Sequence, residues 1–303
     1  MVRPRFFFRD NPRIMQPLAK TRGGEQRNPA KIRPTSAAYD AVFVDERIKQ
    51  FMGYSDFCNW GYWVQGTVSQ KVACENLMEV LLAFFPRKYG RVLDVACGNG
   101  ASTRHLLRYY RPQDIIGINT SIQQLERARE IAPNCTFLEM EATRLKFDAE
   151  TFEAVICVEA AFHFETRRKF LEEVLRVLKP GGRIVLSDIL FTRDAHEFGP
   201  GIGGQNWIED PDSYRVILTD LGFHAVQVID ATNACWWSFE KHLFEYLDRG
   251  AITSEFDRRT LQLLYSRQLA RIRSVRHYVL GSACKPRADA ICLDGAEPAP
   301  PQS

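Results

Sequence analysis

The chain has 303 residues, 45% of them hydrophobic and 25% charged, with a formal net charge of +3. That length holds one large domain or two small ones, and the hydrophobic fraction is that of an ordinary globular chain with a core. So small a charge gives no basic footprint for nucleic acid, and no apolar run approaches the ~20 residues of a membrane-spanning helix.

The eight cysteines form no CxxC pair and no metal-ligand spacing, and the six histidines show no HxxxH or HExxH arrangement, so no metal site is expected. Cys97, Cys135 and Cys157 fall in or beside apolar runs, where a thiol reads as a small hydrophobe. A reducing cytoplasm is the natural location.

Residues 1–36 are rich in Arg, Pro and Gly and read as a disordered basic tail. A transit peptide is the alternative, opposed by Pro4, Pro12, Pro17, Pro29 and Pro34, which break an amphipathic helix. Residues 37–285 read as one catalytic domain, and 286–303 as a flexible Ala/Pro-rich tail. Within the domain, 37–85 form a helical lid and 189–274 contain cap insertions.

Apolar spacing predicts helices over Tyr39–Phe51 and Ser69–Phe85. Between them lie Tyr54, Phe57, Trp60, Tyr62 and Trp63, either a satellite core or a lid over a ligand. The stretch Val92–Gly100 is a buried strand running into a small-residue turn, and Ala101–Tyr110 is the helix that follows. Strands are then expected at Asp114–Asn119, Cys135–Met140, Phe152–Glu159 and Arg183–Asp188. Helices alternate with them at Ser121–Ile131, capped by Ser121 or Thr120, and at Glu165–Leu178, stopped by Pro180-Gly181-Gly182.

A glycine-rich insertion, Ile189–Asp210, leads to a helix over Pro211–Leu221 and a strand over Ala225–Ile229. Two helices, Trp236–Leu247 and Ser254–Ser274, and a last strand, His277–Cys284, complete the pattern. Such alternation predicts an α/β fold with a mostly parallel sheet, helices on both faces, and ligands at the carboxyl ends of the strands.

The turn Leu93-Asp94-Val95-Ala96-Cys97-Gly98-Asn99-Gly100 is no P-loop, because no Gly-Lys-Ser/Thr follows, and its spacing is not Gly-x-Gly-x-x-Gly. It resembles motif I of class I S-adenosylmethionine (SAM) methyltransferases, departing at Ala96, where those enzymes usually have glycine. The runs Asn59–Trp63, Gly117–Ser121, Glu159–Phe164 and Val177–Gly182 extend the resemblance. It is nearest to natural-product O-methyltransferases of the microcystin-pathway and erythromycin types.

The resemblance implies a Rossmann-like, seven-stranded sheet with a reversed last hairpin, SAM as cofactor and a small hydrophobic acceptor. It places Ala96, Cys97, Gly98, Gly100 and Asp94 at the methionine part of SAM, with Asp94 reaching its ammonium. Asn119 stands where the family has an acid for the ribose, with Thr120 and Gln124 beside it. Glu141 and Ala142 fall at the adenine, and Tyr62 and Glu159 complete the cofactor set.

For the chemistry, His163 is the candidate base, after the fourth strand at the mouth of the cleft. The resemblance pairs it with Asp188, and Glu159 is a further catalytic candidate. Trp63, Phe162, His163, Trp207, Trp236 and Trp237 line an apolar acceptor pocket, or else the tryptophans simply tile the cap core. The function expected is His-assisted methylation of a hydroxyl. Two alternatives stay open. One is carbon methylation of an alkene such as a prenyl diphosphate, with Glu159 and aromatics stabilising a carbocation. The other is a non-catalytic SAM-binding protein, favoured by Ala96 and Asn119.

Overall fold

The computed structural model describes residues 46–193, 206–248 and 274–287. The expected tails, the start of the first helix, the run Gly199–Gly204 and nearly all of Ser254–Ser274 lie outside the described residues.

Seven strands form one sheet: β1 (Val92–Val95), β2 (Ile115–Asn119), β3 (Thr136–Glu139), β4 (Phe152–Val158), β5 (Leu178–Phe191), β6 (His224–Asp230) and β7 (Val275–Cys284). Their order is β3-β2-β1-β4-β5-β7-β6. β1 to β5 run parallel, and β7 is antiparallel to both of its neighbours. The fold and the reversed last hairpin are as expected. β5 is longer than expected: it starts where the preceding helix ends, at Val177, and its register with β4 shifts across Pro180-Gly181-Gly182.

The helices are α1 (Glu46–Phe51), α2 (Gln70–Ala83), α3 (Ala101–Leu106), α4 (Ile122–Ile131), α5 (Arg167–Val177), α6 (Pro211–Asp220) and α7 (Ser238–Asp248). Side chains of a strand alternate between faces, so one strand feeds two cores. Val92, Ile115, Ala154, Ile156 and Val185 pack with Leu77 and Leu81 of α2, whereas Leu93, Ile116, Val155 and Ile184 pack with Phe170, Leu171 and Val174 of α5. Both faces are thus covered, and the strands need no polar side. Short side chains start the helices: the Ser121 hydroxyl accepts from Gln124 N at 3.2 Å, Thr166 from Lys169 N at 3.0 Å, and Asp210 from Ser213 N at 2.7 Å.

Between β1 and α3 the backbone goes left-handed three times, at Ala96 (φ 58°), Gly98 (φ 55°) and Gly100 (φ 87°). Alanine meets a steric cost in that region that glycine does not. Ala96→Gly is therefore expected to stabilise the fold by about 1 kcal/mol, a rise of roughly 2–4 °C in melting temperature. A lower melting temperature would show that the methyl group's packing outweighs the strain.

Candidate cofactor and active site

A cleft opens at the carboxyl ends of β1, β2 and β4. One wall carries Ala96, Cys97 and Gly98 with Ala101 and Ser102 of α3; a second carries Asn119, Thr120 and Gln124; a third carries Met140, Glu141, Ala142 and Thr143. Val158 to Ala160, His163, Phe164 and Glu165 close one end, and Asp56, Phe57, Cys58 and Asn59 lie across the top.

The cleft gathers most of the expected cofactor residues. A Cβ at Gly98 would approach Cys58 Sγ to 3.4 Å and Gln124 Oε1 to 4.0 Å, so this turn presents bare backbone to the cavity. Asn119 Oδ1 accepts from Thr120 N at 2.8 Å, and its Nδ2 donates to Gln124 Oε1 at 2.7 Å. The two amides thus form one polar edge.

Several expectations are corrected. Asp94 does not line the cleft. It is 1% exposed, and its Oδ2 accepts from the hydroxyls of Ser102 (2.7 Å) and Thr103 (2.6 Å). Burial pushes its carboxyl up to about 6, against the pull of those two hydroxyls. A carboxylate so deep needs donors, and it takes them from the first turn of α3. Asp94 therefore braces the cleft wall from behind. Gly100 is also a packing residue: a Cβ there would stand 2.7 Å from Ala128 Cβ of α4.

Tyr62 and Trp63 lie outside the cleft; Trp63 Nε1 donates to Trp60 O at 3.0 Å, and its ring lies 4.3 Å from that of His242. The aromatic segment divides: Phe57 lines the cleft, while Trp60 stacks on Phe239 at 5.7 Å against the main core on the α2 face of the sheet, not in a satellite core.

Of the expected acceptor set, only His163 lines this cleft. Phe162 is buried against Phe191, with ring centroids 5.4 Å apart. Trp236 is buried in the core, whereas Trp237 is 51% exposed. Trp207 Nε1 donates to Phe191 O at 3.1 Å, beneath the Arg193 guanidinium.

Asp188 is fully buried and bound to Arg167, whose Nε and Nη2 donate to its Oδ2 (2.6 Å) and Oδ1 (3.3 Å); Ile189 N donates to Oδ1 as well (2.8 Å). The expected Asp188–His163 pair gives way to this ion pair, because a buried carboxylate is best compensated by a guanidinium fork. Arg167 carries no signal of this role in the sequence, standing beside Arg168 and Lys169 at the start of a charged helix.

Glu159 does face the cleft. Its backbone is left-handed (φ 52°), the kind of strain that collects at functional sites. Oε2 accepts from Trp60 N at 3.0 Å and from the buried Tyr278 hydroxyl at 2.8 Å. Burial pushes its carboxyl up to about 8, although both donors favour the charged form. Tyr278 was not foreseen, for it stands 119 residues downstream on β7. Asp56 and Cys58 also line the cleft without a signal of their own in the sequence, beside Phe57 of the segment read as a satellite core or a lid.

A seven-stranded sheet of this order, with an open glycine turn after β1 and polar residues after β2 and β3, is an arrangement suited to hold a nucleotide-like ligand at its strand ends. Residues 92–182 match a family model described as a methyltransferase domain. The chain is 31% identical over 222 residues to erythromycin 3''-O-methyltransferase of Saccharopolyspora erythraea, a match spanning 65% of this chain and 72% of that protein. It is 36% identical over 101 residues to the phthiotriol/phenolphthiotriol dimycocerosates methyltransferase of Mycobacterium leprae, covering 33% of this chain and 37% of that protein. Among solved structures, the [4+2]-cyclase SpnF has the same fold (TM-score 0.64, 20% identity, 84% of this chain and 96% of that one).

The chain belongs to the class I SAM-dependent methyltransferases and is an enzyme of small natural-product substrates. SAM is its cofactor. Among the described residues, no His/Cys/Asp/Glu group could hold a metal ion, and no helix is long and apolar enough to cross a membrane.

Proposed function

We propose that the protein methylates a hydroxyl group of a hydrophobic metabolite, such as a glycoside or polyketide, with His163 as general base. The observation that carries this reading is that His163 lines the same cleft as the open glycine turn. An imidazole there can reach an acceptor brought up to the cofactor. The name of the erythromycin relative, which specifies methylation at an oxygen, supports the same acceptor class.

SAM would lie with its methionine part against Ala96–Gly98, its ribose at Asn119 and Gln124, and its adenine at Glu141 and Ala142. When bound, it supplies a methyl group on a sulfonium: an O–CH3 bond forms, the S–CH3 bond breaks, and its electron pair stays on sulfur. His163 takes the hydroxyl proton as the oxygen attacks. The strap at 56–59 excludes water and holds the cofactor down. Residues 37–85 serve as lid and 189–274 contain cap insertions, within a single catalytic domain, 37–285. A cytoplasmic setting suits its free thiols, several of them buried.

The ribose end is open to direct test. Asn119→Asp is expected to tighten SAM by about 1 kcal/mol, roughly fivefold, since a charged acceptor bonds a hydroxyl more strongly. Gln124 need only turn its amide to donate to the new carboxylate. Calorimetry measures the change, and weaker binding would refute the ribose contact.

Carbon methylation is the second reading, favoured by the setting of Glu159. A half-buried carboxyl held up to about 8 could accept a proton from a carbocation. No Lys or Arg is among the described residues lining the cleft, so a diphosphate group would find no counter-charge there. Assays with isotopically labelled SAM, a macrolide bearing a free sugar hydroxyl, and geranyl diphosphate separate the readings. O-methylated macrolide is the expected product; methylation of geranyl diphosphate alone would replace the first reading with the second.

A further inference from the structure

Asn206 belongs to the Ile189–Asp210 insertion and is 3% exposed. Its side-chain Nδ2 donates toward three backbone carbonyls of the turn that carries His163: Ala161 (3.3 Å), Phe162 (3.1 Å) and Phe164 (3.2 Å). An amide has only two hydrogens, so the three carbonyls share them. On its other side, Asn206 Oδ1 accepts from Arg167 N at 2.6 Å, satisfying an amide that the first turn of α5 leaves without a helical partner.

The backbone carbonyl of Asn206 accepts from Arg167 Nη1. The same guanidinium holds Asp188 and donates from Nη2 to Ile189 O at 2.8 Å. One residue from far along the chain therefore ties together the His163 turn and the start of α5 through its side chain, and the buried Arg167–Asp188 ion pair of β5 through its backbone carbonyl.

We propose that Asn206 is a positioning residue for methyl transfer: its amide fixes the 161–164 turn so that His163 faces the acceptor, and Asp188 serves that turn by way of Arg167. This rests on the reading of His163 as base. The turn's own backbone bonds, His163 N to Ala160 O and Phe164 N to Ala161 O, span a single short turn that owes much of its rigidity to what packs on it. Loss of the amide frees its carbonyls, and the imidazole drifts from the acceptor. A displacement of about 1 Å can cost on the order of 100-fold in rate.

The test compares Asn206→Leu, His163→Ala and the double variant, using SAM and the macrolide acceptor, with SAM affinity measured by calorimetry. The expected result is a roughly 10–100-fold fall in kcat for Asn206→Leu, with SAM affinity within about twofold of wild type. In the His163→Ala background, Asn206→Leu should change the rate less than about twofold, because a misplaced base no longer matters. An equal loss in both backgrounds, or no loss in either, overturns the positioning role while leaving the base assignment intact. Full activity of His163→Ala overturns the base assignment, and the proposal with it.

Asn206→Asp covers the case in which the leucine variant does not fold. It keeps the acceptor for Arg167 N but has no donor for the carbonyls. In protein carrying 13C-labelled histidine, this variant should shift or broaden the His163 ring signal and leave those of His105 and His277 in place. An unmoved His163 signal refutes the proposal.

Discussion

His163→Ala is expected to lower turnover by about 10²–10⁴-fold, the usual worth of a positioned base, while SAM affinity stays near wild type. The comparison that gives this result meaning is Glu159→Gln. Glutamine can still accept from Trp60 N and Tyr278 Oη through its carbonyl oxygen, so the strap keeps its anchor and only the ionisable group is lost. Under hydroxyl methylation, Glu159→Gln slows the enzyme less than His163→Ala does. The reverse order, with Glu159→Gln inactive and His163→Ala barely slowed, would establish carbon methylation.

The two readings also differ in pH dependence. If Glu159 is the base, turnover rises as pH passes through about 8, because only its charged form can take a proton. Stability runs the other way. The folded-state pKa lies above the ordinary 4.5, so the contribution of Glu159 to stability is full below that value and is lost as pH rises through about 8. Glu159→Gln removes this loss, and its melting temperature should exceed that of wild type above pH ~8. Equal melting temperatures there would mean that burial does not raise the Glu159 carboxyl above its ordinary range.

Gly98→Val is expected to abolish SAM binding. A branched side chain at this left-handed position, 3.4 Å from Cys58 Sγ at its first carbon, would fill the space in which the backbone meets the cofactor. Gly98→Ala places only that first carbon, at ordinary contact distance, and should weaken binding by a smaller factor. Melting curves check that both variants fold, and calorimetry reads the affinity. Undiminished binding by folded Gly98→Val would refute the placement of the methionine part at this turn.

Period-2 and period-3.6 patterning, with caps such as Ser121, determined the α/β alternation, because burial on both faces of a strand leaves an all-apolar run. The turn after β1 and the polar residues at the ends of β2 and β3 were likewise legible, since bare backbone and short polar groups at strand ends leave a local signature. The antiparallel placement of β7 was implied only by family resemblance. What a side chain does was decided by tertiary structure. Asp94 and Asp188 both looked like cleft carboxylates, yet each is buried and held by donors, from α3 in one case and from Arg167 in the other. Glu159 owes its raised pKa to burial, against the pull of donors 99 residues upstream and 119 residues downstream. Asn206 reaches back more than 40 residues to the His163 turn. Such contacts leave no period or spacing in the chain, because a buried charge or amide is satisfied by whichever group the packing brings within about 3 Å.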